Sequence, residues 1–269
     1  MTDEKKPEMS FLQHLEALRW HLVRSALAIM TFAGILFCYK EFVFDNVIFG
    51  PMHSDFLTYR ALCKLSHVTG LGETLCMQSI SFSLINIDLS GQFTTHIWVA
   101  LIGGFMVGSP YVLWELWRFI SPALHEKERK YTTGVVFFAS ILFLSGVLFS
   151  YYIIVPMTIN FLGNYQVSTL VKNTISMDSY ISTVTILTLI MGLVFELPIV
   201  IYFLTKVGIM GPAFMRKHRR YAIVIILIIG AVITPTSDIP TLLIVSTPLY
   251  LLYEISIFVS KFAEKKSKE

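Results

Sequence analysis

Apolar positions fall into six runs, at about 22–44, 96–117, 132–155, 180–204, 221–233 and 241–259, and polar residues collect between them. Crossing a hydrocarbon layer of about 30 Å takes about 20 helical residues. The first four runs are that long. The fifth, thirteen residues between Arg220 and Thr234, makes only about 20 Å of helix. The sixth is interrupted by Pro248, and its strictly apolar part ends near Glu254. The pattern predicts an all-α polytopic membrane protein, a single membrane domain over 1–269 with six transmembrane helices, the last two short. Short spans require a thinned bilayer or protein cover. A single re-entrant hairpin in place of the last two spans is the alternative.

Composition agrees with lipid as the solvent. The chain is 55% hydrophobic and 14% charged, where soluble domains run at about 45–50% and about 25%, and its mean hydropathy is +0.67. A net charge of +3 is too small to argue for nucleic acid. The location of the charges says more than their sum. Lys5, Lys6, Arg19 and Arg24 precede the first span. Arg118, Lys127, Arg129 and Lys130 follow the second, and Lys206, Arg216, Lys217, Arg219 and Arg220 follow the fourth. Lys261, Lys265, Lys266 and Lys268 end the chain. Only Lys40, Arg60, Lys64 and Lys172 fall on the other side. The bias of lysine and arginine toward cytoplasmic loops puts both termini in the cytoplasm. It also assigns 1–21 to a cytoplasmic amphipathic helix, 118–131 and 205–220 to cytoplasmic loops and 260–269 to a cytoplasmic tail. Residues 45–95 become a long outer loop with one or two short helices near 56–65, 156–179 a second outer connection and 234–240 a tight third one. MTDEKKPEMS has neither the apolar core nor the cleavage site of a removable signal peptide.

Three stretches can carry chemistry. In LIMGLVFELPIVIYFL (189–204), Glu196 lies about 6 Å to the cytoplasmic side of the span's midpoint near Gly192. A carboxylate at that depth costs about 2.5–3.5 kcal/mol on insertion scales and faces protein, water or a partner. Pro198 removes a backbone donor and leaves the Val194 carbonyl without its usual partner, so polar group and loosened helix coincide. The alternative is a protonated Glu196 hydrogen-bonded to a neighbouring helix as structural glue. SFLQHLEALRWHLVRS (10–25) opens with a capping box, Ser10 with Gln13, and repeats Phe11, Leu15, Leu18 and Leu22 at helical spacing. It reads as a helix in the headgroup layer that turns into the first span, or as a plain anchor. FISPALHEKERK (119–130) sets Glu126 and Glu128 among basic residues. Orientation does not require those acids; they can receive arginine in bidentate geometry or pair within a solvated loop.

Enzyme and metal templates are missing. HEKER lacks the second histidine of HExxH, and neither GxSxG nor a phosphate loop occurs. Cys38, Cys63 and Cys76 have no metal or CxxC spacing. Cys63 and Cys76 share the outer loop, where a disulfide is open but not decided by sequence.

The order of these blocks resembles the TatC family, the polytopic subunit of the twin-arginine protein translocase. The matches are HLEALRWHLVRS (14–25), SPYVLWELWRFISPALHEKER (109–129), GLVFELPIVI (192–201), RKHRRYAIVI (216–225), AVITPTSDIP (231–240) and STPLYLLYEISIF (246–258). The resemblance implies six helices in the bacterial inner membrane, both ends cytoplasmic, and recognition of twin-arginine signal peptides of folded substrates by the N-terminal segment and first cytoplasmic loop. It assigns signal-peptide binding to Glu128, followed by Arg129, to the FxxPxL turn of Phe119, Pro122 and Leu124, and to Glu16 and Arg19. Glu196 matches the family's intramembrane glutamate, and Asp238 roughly matches the aspartate of its last periplasmic loop. Two departures stand out. Ala17 occupies the position of the glutamate in HLxELR, with Glu16 one residue earlier and about 100° round the helix, so either Glu16 reaches round or Glu128 carries more of the binding. TPTSD is one residue longer than the family's TPPD.

The expected partners are signal peptides, single-span Tat subunits with amphipathic helices, further TatC copies and membrane lipid, with no nucleic acid. No cofactor is implied, because the family draws on the proton-motive force. The implied function is to recognise signal peptides and nucleate transport, with the apolar stretch of the signal peptide inserting along a concave wall lined by helices two to four. One alternative is a proton-coupled secondary solute transporter with Glu196 as proton site, although the internal repeats of such folds are absent. The other is a structural membrane scaffold.

Overall fold

The structure, a computed structural model, describes residues 11–53, 55–68, 82–120, 132–168, 173–233 and 239–268. The helices are α1 Phe11–Cys38, α2 Leu57–Val68, α3 Gly91–Ile120, α4 Thr132–Phe149, α5 Val155–Asn164, α6 Met177–Phe195, α7 Leu197–Lys206, α8 Pro212–Lys217, α9 Arg219–Ile233 and α10 Ile239–Lys268. Two three-residue strands, β1 Ser83–Ile85 and β2 Thr174–Ser176, pair in parallel with Leu84 opposite Ile175.

Glycines let the long helices approach closely. A Cβ on Gly104 of α3 would lie 2.7 Å from the Ala33 nitrogen and 2.8 Å from the Ile29 carbonyl oxygen of α1. Gly146 of α4 stands in the same relation to α6, where a Cβ would meet the Met191 carbonyl oxygen at 2.6 Å. Lipid tails are as apolar as leucine, so such helices are held by close packing, not by escape from water. Gly146→Leu is therefore expected to force α4 and α6 apart and destabilise the protein by about 1–3 kcal/mol. A lowered melting temperature in detergent checks this, against an unchanged one for Gly134→Leu, where a Cβ meets nothing within 4 Å.

α1 and α3 run antiparallel, pairing Ala33 with Gly104 near the middle and His21 with Glu115 at the end where α1 starts. That end, here the basic end, also holds the start of α9 with Arg219 and Arg220. At the opposite end, side chains tie the connections onto the bundle. Tyr59 of α2 donates to the Pro51 carbonyl at 2.9 Å and to that of Pro156 at 3.3 Å. The Tyr180 hydroxyl reaches Ile48 O at 2.9 Å, and that of Tyr151 reaches Val47 O at 2.7 Å. Burial pushes the Tyr59 phenol above its ordinary pKa, so it remains a donor throughout the physiological range. Ile154, Val155, Ile181, Met191 and Val245 are fully buried and centre the main core.

Several boundaries differ from the sequence reading. α1 is one continuous helix, so residues 11–21 run straight into the first span instead of turning into it as a separate helix. No glycine or proline interrupts 11–33, and the hydrogen-bond ladder has no reason to break. The third span continues through a π-helical turn, Ser150–Ile154, into α5 as far as Asn164, so the second outer connection begins near Tyr165, not at 156. Pro156 sits in the first turn of α5, the position a proline tolerates best. The last helix is not short. α10 has 30 residues, about 45 Å, and passes through Pro248. Beyond the proline it packs on α7, where the Thr205 and Ser260 hydroxyls share a 2.8 Å hydrogen bond. Glu254 does not end it either, being bound to Arg219 at 2.7 Å and to the Tyr250 hydroxyl at 3.0 Å.

Other expectations agree. α9 is short, 15 residues or about 22 Å. α2 occupies the part of the outer loop where a short helix was expected, and Cys63 within it is disulfide-bonded while Cys38 is free. Among the described residues five helices are long and apolar enough to cross a membrane: Glu16–Cys38, Gly91–Ile120, Gly134–Asn164, Met177–Lys206 and Leu242–Glu264. A sixth crossing would have to be α9.

Candidate functional site: a buried carboxylate cluster and a broken span

Three residues of α3, Tyr111, Glu115 and Arg118, lie on one stripe of the helix at spacings of four and three. α1 presents His21 and Arg24 to that stripe. The Glu115 side chain is 1% exposed and is surrounded by donors. His21 Nδ1 lies 2.5 Å from Oε2, and the Tyr111 hydroxyl donates to Oε1 at 3.0 Å. Arg24 Nη1 stands 3.8 Å from Oε2 and Arg118 Nη1 3.7 Å from Oε1. Both arginines are about half exposed, and the Arg118 guanidinium lies 5.0 Å over the Trp114 ring. Neighbouring cations and hydrogen bonds offset the desolvation of the carboxylate. Each oxygen accepts one hydrogen bond from within the chain, and the bond from His21 holds α1 against α3.

Phe119 packs against this cluster, with its ring 6.1 Å from that of His21 in an edge-on arrangement. Glu16 and Arg19 are exposed on α1 at the same end. Pro122, Leu124, Glu128 and Arg129, and also Ser10, Glu126 and Asp238, lie outside the described residues. Of the sequence candidates at this end, the structure therefore brings Phe119 to the cluster and leaves Glu16 and Arg19 on the surface beside it. Glu115 was missed by sequence reasoning. Its signal was present in YVLWELWR: an acid in the last turns of a span, four residues after a tyrosine and three before an arginine.

The second centre is Glu196. It forms the joint between α6 and α7, with its N–H on Leu193 O at 3.1 Å and its carbonyl accepting from Ile199 and Val200. The helix breaks where the proline predicted, and Pro198 opens α7. Glu196 is 8% exposed, and its Oε1 is buried with no hydrogen-bond partner among the described residues. Trp117, the residue before Arg118, links the two centres by packing on Phe203 of α7, with ring centroids 4.9 Å apart. Between α1, α3, α4 and α6 lies an apolar cavity of about 500 Å³ lined by Leu36, Val99, Met106, Val147 and Thr188.

A family model described as "Sec-independent protein translocase protein (TatC)" matches residues 13–248. The chain belongs to the TatC family. It is 38% identical to the Sec-independent protein translocase protein TatC of Blattabacterium over 97% of this chain and 98% of that one. For the Aquifex aeolicus TatC the identity is 34%, again over 97% and 98%. A crystal structure described as the twin-arginine translocase receptor TatC superposes with a TM-score of 0.65 at 33% identity, covering 93% of this chain and 99% of that one. A second TatC structure, in the detergent DDM, gives 0.68 at 34% identity over 92% and 99%. TatC membership makes the chain a multi-pass membrane component of a protein translocase and not an enzyme.

Proposed function

We propose that this TatC protein recognises twin-arginine signal peptides at its basic end and nucleates transport of folded proteins across the bacterial inner membrane. The basic end faces the cytoplasm in this reading, with six spans, α9 being the fifth, and both termini inside. One observation supports it above the others. The His21–Glu115 bond and the His21–Phe119 contact join α1 to the point where the FISPALHEKER loop leaves α3. That contact braces the base from which, in this reading, Glu16 and the loop's Glu128 act together as counter-charge.

Electrostatics assigns the roles. Glu115 is buried and already bound by His21 and Tyr111, so it positions and does not receive. Arg24 and Arg118 leave the base with more cations than anions, and an incoming pair of guanidinium groups within a Debye length of about 8 Å would be repelled. Glu128, helped by Glu16, supplies the missing counter-charge in bidentate geometry. Pro122 and Leu124, with Phe119, and the cations Arg19 and Arg129 are assigned to the same signal-peptide contact. The apolar stretch of the signal peptide follows the wall of α3, α4 and α6, where Glu196 offers its unpartnered oxygen to the peptide or to a partner helix. Asp238 is assigned to the periplasmic side. Single-span subunits and further TatC copies complete the assembly, driven by the proton-motive force.

Cross-linking from position 119 tests the reading. A photoreactive residue there should capture a signal peptide bearing two arginines and lose at least most of the product when they are lysines. Equal capture of both peptides would remove recognition from this end.

A further inference from the structure

α7 ends in a sharp turn at Gly208, whose φ of +80° suits glycine, and the chain resumes as α8. α8 is pinned. Pro212 is buried, and Met215, 1% exposed, accepts a 2.8 Å hydrogen bond on its carbonyl from the Tyr253 hydroxyl of α10. A single residue, His218, joins α8 to α9, and its carbonyl takes the Ala222 N–H at 3.0 Å, so the helical course is nearly unbroken.

At about 100° per residue, this stretch divides into three sectors. Pro212 and Met215 face inward. Phe214, His218 and Tyr221 form a ladder of rings with centroid spacings of 4.1 and 6.0 Å. Arg216, Lys217 and Arg220 share an arc of about 100° beside that ladder. All three are exposed and have no ion pair or hydrogen-bond partner among the described residues, whereas the adjacent Arg219 is held by Glu254 at 2.7 Å. Val207, Ile209, Phe214 and Tyr221 are more than half exposed around them. Orientation in the membrane accounts for the number of cations in such a loop. It does not account for a pinned helix that sets three unpaired cations next to exposed rings, which is the make-up of a headgroup-layer contact. The shortness of α9 draws headgroups toward its start.

We propose that α8 and the first turn of α9 form a binding site for an anionic phospholipid, with Arg216, Lys217 and Arg220 on the headgroup phosphate and Phe214 and Tyr221 in the ester layer. The test is a titration of the full chain in detergent with phosphatidylglycerol and, separately, phosphatidylcholine, read by native mass spectrometry. R216Q/K217Q/R220Q should weaken phosphatidylglycerol binding about fivefold per cation, about a hundredfold in all, and leave phosphatidylcholine unchanged. R216K/K217R/R220K should retain binding, which separates loss of charge from loss of fold. K265Q/K266Q/K268Q, with the same change in net charge, should bind as the unaltered chain does. Unchanged phosphatidylglycerol binding in the first variant, or an equal loss in the tail variant, would overturn the site. So would displacement of the lipid by inorganic phosphate at matching concentration, which would make it a general anion site.

Discussion

Glu115→Ala is expected to be the most damaging single substitution at the basic end, lowering stability by about 3–5 kcal/mol, the usual cost of stripping one member from a buried ion pair. The change leaves the His21 ring nitrogen and the Tyr111 hydroxyl without their acceptor and sets Arg24 and Arg118 against each other across the gap. Most of the loss comes from the two close hydrogen bonds, because the half-exposed arginines stand beyond hydrogen-bond range and are screened by solvent. Glu115→Gln keeps an oxygen for the tyrosine and should cost less, about 1–2 kcal/mol. Melting in detergent measures both. The double variant Glu115→Ala/Arg118→Ala should recover part of the loss, since one stranded cation goes with the carboxylate. An unshifted melting temperature for Glu115→Ala would mean that the cluster does not brace α1 against α3.

Glu128→Gln should carry the largest effect on recognition while leaving stability almost unchanged. A hydrogen bond between charged groups contributes about 1.5–3 kcal/mol, so affinity for a twin-arginine peptide should fall roughly 10- to 100-fold. A twin-lysine peptide, which cannot form the planar two-point contact, should bind weakly to both forms with almost the same affinity. Peptide titration by fluorescence anisotropy at physiological salt gives both numbers. An equal loss for the two peptides would assign Glu128 a general attraction for cations and remove the discrimination between arginine and lysine. Ala17→Glu, which restores the acid where the HLxELR pattern has it, should raise twin-arginine affinity if Glu16 reaches the peptide poorly.

The centres differ in how much of each was legible in the residues. Glu196 was visible because it is anomalous within its own segment: a lone carboxylate and a proline in an apolar run break hydrophobicity and hydrogen bonding at one place, and the helix breaks there. Glu115 has the same chemistry but sits near Arg118 at the end of a span, where polar residues are ordinary. Only the approach of α1, 94 positions away, turns it into a buried centre. A similar distance separates β1 from β2, and their parallel pairing had no local signal.

Local rules thus settled what each stretch would be: six apolar runs, their helical state, the break at Glu196 and the shortness of α9, since a side chain's preference for lipid and a proline's missing donor act within a few residues. Tertiary contact decided what each element would do. Pro248 and Glu254 both stay inside one 30-residue helix, and Glu254 does so with Arg219 as its partner. The helix from Phe11 needs no such help to run unbroken, but only its packing on α3 brings His21 and Arg24 to Glu115. A carboxylate's environment, unlike a helix's periodicity, is set by whichever distant segment packs on it.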